Sequence, residues 1–443
     1  VTRGIKAPFA AALLGAALPA GAPPAVRADE PVAKLPPTAC VADLPAGTRC
    51  YAGRDALGAY VLVAVPAAWN GVLVVHAHGG PEFGAPDPKR VAEDAERWRV
   101  VVRAGYAWAG TTYHQGGVAV LSAAADLETL RRLALQVLDT PPRRTLLHGN
   151  SWGASVAARA AERERGPWDG VLLTSGVLGG GSRSYDFRLD LRVVYEAVCG
   201  NHPAAGERDY PLWQGLPLDV RMTRAELASR VDACTGVQRP RAARTPEQQR
   251  HLDTLLRVIR IPEPSLVGHL AWATFGFRDI AFKRLDGGNA FGNEGVRYVG
   301  SDDDGALNGA VRRYRRDPAA AARFAADTDP TGRIGVPVLT MHAIDDPTAF
   351  VELESTFRDT MEAAGRGAAL VQTFTREHTH SYLADPEYVA ALAALLDWIE
   401  RGVKPAPQRL AASCRALEAT WGPGCAFDAD YQPQPLAARV PPR

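Results

Sequence analysis

Short, almost wholly apolar runs alternate with longer amphipathic ones along this chain. Tyr60-Val61-Leu62-Val63-Ala64-Val65 is the first such run and ends at Pro66, and Val72-Leu73-Val74-Val75-His76 is the second. Asn70-Gly71 between them is a turn signal, so the two read as a hairpin leading into the core. A helix is expected over about 89–103, a strand over 106–111 and a second helix over about 126–138. Arg144-Thr145-Leu146-Leu147-His148 and Gly170-Val171-Leu172-Leu173-Thr174-Ser175 are further strands. Helices alternating with strands apolar on both sides predict an α/β fold, a mostly parallel sheet with helices on both faces.

The alternation stops near Gly180. From 182 to 318 the pattern is irregular, with Trp213, Trp272, Phe275, Phe277 and Phe282 scattered among Arg and Pro. It resumes with strand 336–341, a helix over about 350–364 closed by Gly365, and strand 369–374. A last helix has Asp385 as its expected N-cap, Pro386 at N1 and Gly402 beyond its last turn. The expected organisation is therefore a first core segment over 29–181, an inserted cap or lid over 182–318, and a second core segment over 319–443. The second segment ends in a Pro-rich tail that drapes over the core.

Gly149-Asn150-Ser151-Trp152-Gly153 stands where an apolar strand gives way to the small-residue run 154–161. A strand, a sharp turn and a helix are the context of a nucleophile elbow. It would lift the Ser151 hydroxyl clear of the sheet at a helix N-terminus, where developing negative charge is favoured. A serine nucleophile needs a base, and the base needs an orienting acid. After an elbow the expected order is Ser, then Asp or Glu, then His, each on a loop following a strand. Strand 336–341 runs into His342-Ala343-Ile344-Asp345-Asp346-Pro347, and strand 369–374 into Thr375-Arg376-Glu377-His378-Thr379-His380. His78-Gly79-Gly80-Pro81 follows strand 72–76, where glycines can turn an N–H toward the site. Gly80 and Trp152 are thus the expected oxyanion donors. Tyr113 and His114, after strand 106–111, are candidate pocket walls.

With these parts in this order, the chain resembles the α/β-hydrolase superfamily over about 60–181 and 319–402. The run from Pro66 to Gly71 into His78-Gly79-Gly80, and the close through His378 to Pro405, look like secreted bacterial esterase-type members. The resemblance implies serine-dependent acyl transfer to water without metal or organic cofactor. It also implies an acid position at Asp346, in a His-Gly-x-x-Asp-Pro pattern with Ala343 in place of Gly. Asp345 is the alternative acid. The family places its histidine two to four residues past the strand, usually after Gly, and Glu377 stands there instead. On that spacing His378 is the expected base, with His380 as pocket wall or alternative.

Composition sets the remaining bounds. The chain has 443 residues, 47% hydrophobic and 22% charged, with a net charge of +1. That balance offers no argument for a nucleic-acid partner. Arg3 and Lys6 precede the uncharged run 7–18, and Val26-Arg27-Ala28 fits a cleavage site, so 1–28 reads as a signal peptide. The run is shorter than the roughly 20 residues of a membrane span. A secreted or periplasmic location follows, and six cysteines suit it. The simplest pairing is local: Cys40–Cys50, Cys199–Cys234 and Cys414–Cys425. No Cys/His grouping has metal-ligand spacing. The expected activity is that of a serine esterase acting on a small or oligomeric ester substrate. An exported peptidase or amidase, an acyltransferase and a non-catalytic binding protein are the rivals. Ser301-Asp302-Asp303-Asp304 is the only candidate site for a peptide amine.

Overall fold

The computed structural model describes residues 34–163 and 166–443. The expected signal peptide over 1–28 lies outside them. Ten strands form one sheet: β1 Pro37–Thr38, β2 Arg49–Arg54, β3 Tyr60–Val65, β4 Val72–Ala77, β5 Ala107–Thr111, β6 Arg144–Asn150, β7 Gly170–Thr174, β8 Val338–Ala343, β9 Leu370–Thr375 and β10 Phe427–Asp428. Their order is β1-β2-β3-β5-β4-β6-β7-β8-β9-β10. From β5 to β9 every pairing is parallel, and β1, β2, β3 and β10 add antiparallel edges. The central strands are buried throughout, as their unbroken apolar runs require. On one face Leu62, Val74, Leu146, Leu172 and Leu339 pack with Trp98, Tyr388 and Leu392. The helices Val120–Leu135 and Trp152–Ala161 cover the other.

The hairpin expected between β3 and β4 does not form, because β5 lies between them. The Asn70-Gly71 turn packs on the turn that precedes β5: Asn70 N–H donates to Gly105 O at 2.8 Å. Asn70 Oδ1 also accepts from Val72 N–H at 3.0 Å. The turn therefore steers β4 past β5 to a parallel position. The helix expected over 89–103 breaks at Trp98 into Pro88–Arg97 and Arg99–Arg103. The last core helix starts at Asp385 with Ala384 as its cap, one residue earlier than expected.

Between β7 and β8 the described chain holds helices and no strand. Its apolar side chains form a cluster of their own, in which Phe277 stacks on Phe291 at 4.6 Å and Phe324 meets Phe291 edge-on. Most of the insertion's aromatics thus fill its own core. The acidic run is consumed locally. Asp302 pairs with Arg257 at 2.9 Å, Asp303 caps the helix Asp304–Ala310, and Asp304 accepts from Gly300 and Ser301 N–H.

The tail is more ordered than its composition indicates. Helix Pro407–Trp421 packs on the helix Asp385–Arg401, and β10 extends the sheet beyond β9. Disulfides join Cys40–Cys50, Cys199–Cys234 and Cys414–Cys425, with Cα separations of 5.2, 5.7 and 5.8 Å. These are the local pairs expected from the sequence.

Candidate active site

Ser151 follows β6 directly with φ 56° and ψ −124°, a strained conformation for a residue with a side chain. Two glycines make the turn possible. A Cβ on Gly149 would lie 2.5 Å from Gly153 O, and one on Gly153 would lie 2.1 Å from Ala77 O. Neighbouring backbone fixes the turn: Ser151 N–H donates to Thr174 O at 2.9 Å, and Val177 N–H donates to Ser151 O at 3.1 Å. The side chain is left at the carboxyl edge of the sheet, ahead of the helix Trp152–Ala161.

The imidazole that meets it is His380. His380 Nε2 is 2.7 Å from Ser151 Oγ, and His380 Nδ1 is 2.8 Å from Asp346 Oδ2. Asp346 also accepts from Thr348 N–H at 2.7 Å and Ala349 N–H at 2.9 Å. Burial alone would raise its pKa. The imidazoles of His380 and His342 outweigh burial and hold it well below the usual carboxylate range. An ionised Asp346 can only accept, so it fixes the proton on Nδ1 and leaves the Nε2 lone pair facing the serine hydroxyl.

His378, the expected base, lies elsewhere. Its side chain is 80% exposed and its Nδ1 is 3.0 Å from Asp345, itself exposed. The two adjacent acids thus hold different histidines: the expected acid, Asp346, holds His380, and the expected base, His378, is paired with Asp345. The reason is the course of the loop after β9. Glu377 Oε1 accepts from Ala384 N–H at 3.2 Å, and Ser381, at φ 68°, donates its N–H to Ser175 Oγ at 3.1 Å. Arg97 Nη2 holds Ser381 O at 2.6 Å. These contacts fold the loop back over the sheet edge, so His380 and not His378 arrives over the serine.

Glu377 also sits beside Glu387, which is wholly buried. Burial, and then the Glu377 carboxylate, push Glu387 up to about 8 against the opposing N–H of Ala426. A carboxyl raised in the folded state favours folding while protonated; that contribution is complete below the unfolded value of 4.5 and is lost progressively as pH rises to about 8. Glu387→Gln should therefore flatten the alkaline decline in Tm. Melting curves of both proteins between about pH 6 and 9 check this, and parallel declines would contradict it.

The loop 78–81, expected to carry an oxyanion donor, lies against the elbow. A Cβ on Gly79 would come within 2.9 Å of Ser151 Cβ, so the loop's close approach belongs to Gly79, while Gly80 (φ +66°) is open around its Cα. Gly79 O accepts from Arg90 Nη2 at 3.0 Å and from His78 Nδ1 at 2.9 Å. The Gly80 N–H is trans to that carbonyl and points the opposite way. Trp152 is the first residue of its helix, so its N–H has no acceptor within the helix. Tyr113 is buried beneath this loop, stacked on His78 at 4.3 Å and edge-on to Trp152 at 5.8 Å. His114 turns away and bonds Asp126 through Nδ1 at 2.7 Å.

The sequence left His342 and Glu354 unmentioned as site residues. His342 Nδ1 is 3.1 Å from Glu354 Oε1, its Nε2 is 2.9 Å from Ala349 O, and Asp346 Oδ2 is 3.5 Å away. A histidine ending an apolar strand, four residues before the acid, was the available signal.

No family model matches this sequence, and no curated protein matches it. Among solved structures, feruloyl esterase B from Aspergillus oryzae aligns at TM-score 0.46 and 13% identity, covering 85% of this chain and 88% of that one. Another esterase from Aspergillus oryzae aligns at 0.43 and 13%, over 81% of each chain. Candida antarctica lipase A in its closed state aligns at 0.41 and 13%, over 85% and 88%. Likeness at such scores carries no argument about this chain, whose α/β-hydrolase fold is read from its own strand order, register and elbow.

Proposed function

We propose that this chain is an exported serine hydrolase of carboxylic esters, working through Ser151, His380 and Asp346. The observation that carries the reading is the unbroken chain from Ser151 Oγ through His380 to the buried Asp346. Ser151 Oγ attacks the acyl carbon as its proton passes to His380 Nε2. Asp346 stabilises the imidazolium. The N–H groups of Gly80 and Trp152 receive the oxyanion. The leaving alkoxide takes the proton from His380 and departs. Water then attacks the acyl-enzyme, giving its proton to Nε2, and Ser151 regains a proton as the acid leaves. These residues complete the cycle without a cofactor.

Three disulfides support export. Among the described residues no helix is long and apolar enough to cross a membrane. The peptidase reading is weakened because the carboxylates of 302–304 are engaged by their own neighbours. Purified protein should be tested against p-nitrophenyl esters of graded chain length beside aminoacyl anilides. Ester turnover that Ser151→Ala abolishes, with an unchanged circular dichroism spectrum, is the expected result. Anilide turnover without ester turnover, or full activity in the variant, would contradict the reading.

A further inference from the structure

The helix Asp186–Cys199 follows the loop after β7, the loop whose Val177 N–H bonds Ser151 O at 3.1 Å. Near its start lies Arg188, only 4% exposed. A guanidinium so buried loses its hydration and needs a counter-charge or acceptors in return. Arg188 has little of either. Among the described residues it pairs with no carboxylate. Its one protein acceptor is Ser184 O, 3.1 Å from Nη1, and Nε is enclosed without a partner. Nη2 donates to nothing among the described residues. The unpartnered pair, Nε with Nη2, is the side-on fork that takes a carboxylate through two parallel hydrogen bonds.

The surroundings are aromatic. Trp272, Phe187 and Tyr185 lie 4.5, 4.7 and 5.2 Å from the guanidinium carbon. Their π faces answer part of the charge but give the N–H groups no lone pair along the fork. Arg192, the next turn on and equally buried, makes the contrast. Its Nε is likewise unpartnered, but its Nη1 and Nη2 bond Thr274 Oγ1, Tyr210 OH and Gly215 O. The acids of the same helix, Asp186 and Asp190, lie on its other side and are held by Arg183 and Arg443.

The fork is placed at the catalytic end of the insertion. Phe187 meets the His269 ring at 5.0 Å, and His269 Nε2 is 3.1 Å from Pro347 O, the carbonyl next after Asp346. Burial, and then the Arg188 charge, push His269 down to about 3, so it stays neutral and adds no second cation. Trp272, half-buried, opens a π-helical segment, Trp272–Gly276, of the kind that recurs at functional sites.

We infer that Arg188 is an anion-binding subsite of the substrate pocket, and that the preferred substrate is an ester that also carries a carboxylate. The inference rests on the ester-hydrolase reading and specifies its substrate class. The carboxylate seats on the Nε/Nη2 fork against Trp272 and Tyr185 while the ester carbonyl reaches Ser151.

The test compares p-nitrophenyl half-esters of succinate, glutarate and adipate with neutral p-nitrophenyl esters of the same chain length. In a second arm, 4-carboxyphenyl butyrate is set against phenyl butyrate. The arms tell an acyl-side from an alcohol-side carboxylate. The best anionic ester should exceed its neutral counterpart by roughly 10- to 100-fold in kcat/KM, mostly through KM. Arg188→Met should bring that ratio down to about one, and Arg188→Lys, which keeps the charge but not the fork, should restore part of it. Equal use of anionic and neutral esters in both arms, or an undiminished preference in Arg188→Met, overturns the inference and leaves the hydrolase reading standing. If no ester of any kind is turned over, the hydrolase reading itself fails. Calorimetric titration of Ser151→Ala with glutarate then decides separately: saturable binding that Arg188→Met removes supports the subsite, and absence of binding overturns it. Should Arg188→Met not fold, the wild-type ratio and the Lys variant still give the answer.

Discussion

His380→Ala should lower kcat on an activated ester by roughly four to six orders of magnitude, while His378→Ala should remain within about threefold of the parent. The contrast is large because the two imidazoles differ in every physical respect that matters. His380 Nε2 lies 2.7 Å from Ser151 Oγ, and its Nδ1–H is held by an acid with no exposed side-chain surface. In the proposed mechanism, removing it takes away the proton acceptor for attack and the donor for the leaving group. Only the oxyanion donors and substrate binding would sustain a residual rate. His378 makes an exposed pair with Asp345, of a kind that contributes little to stability or geometry. Side-by-side steady-state kinetics check this. A dead His378 variant beside an active His380 variant would require the triad to be redrawn.

The second large effect concerns stability. Glu354→Ala should cost about 3–5 kcal/mol of unfolding free energy, measured by urea titration at neutral pH. Glu354, His342 and Asp346 have no exposed side-chain surface, and His342 lies between the two carboxylates. Both ring nitrogens of His342 face acceptors, Glu354 Oε1 and Ala349 O, so both carry protons. Burial works against that charge, but the two carboxylates outweigh it and push His342 up to about 10. Thr340 Oγ1 and Gln372 Nε2 donate to the far oxygen of Glu354. Deleting Glu354 leaves a buried imidazolium with half its compensation, whereas Glu354→Gln keeps an acceptor and should cost less. The sign with pH follows from a raised histidine. The stabilisation is complete below the unfolded value of 6.5 and is lost as pH rises through about 10. The gap between parent and variant should therefore narrow in alkali. A loss under about 1 kcal/mol would show that the buried chain of charges contributes little.

The sequence made the elbow turn and the sheet class legible, because each depends on residues close together. Glycines flanking Ser151 announce a turn that admits no Cβ, and unbroken apolar runs announce strands buried on both faces. Strand order was less accessible. Asn70-Gly71 has the chemistry of a hairpin turn, yet its partner is Gly105, and nothing near residue 70 discloses that contact. The choice between His378 and His380 failed for the same reason. Counting from the end of β9 assumes a loop that runs straight out. The real loop is bent back by Ser175, Arg97 and Ala384, two of them far away in the chain. The helix in the tail was not read from the sequence, although Pro407 stands at its first turn, where a proline suits a helix start.

Covalent labelling with a fluorophosphonate tests the central claim most directly. Incubation of the parent protein, proteolysis and peptide mass spectrometry should find one phosphonyl group, on the peptide containing Ser151. The adduct should form orders of magnitude more slowly in His380→Ala and at the parental rate in His378→Ala. A phosphonyl group on another serine, or equal labelling rates in the parent and His380→Ala, would contradict the account.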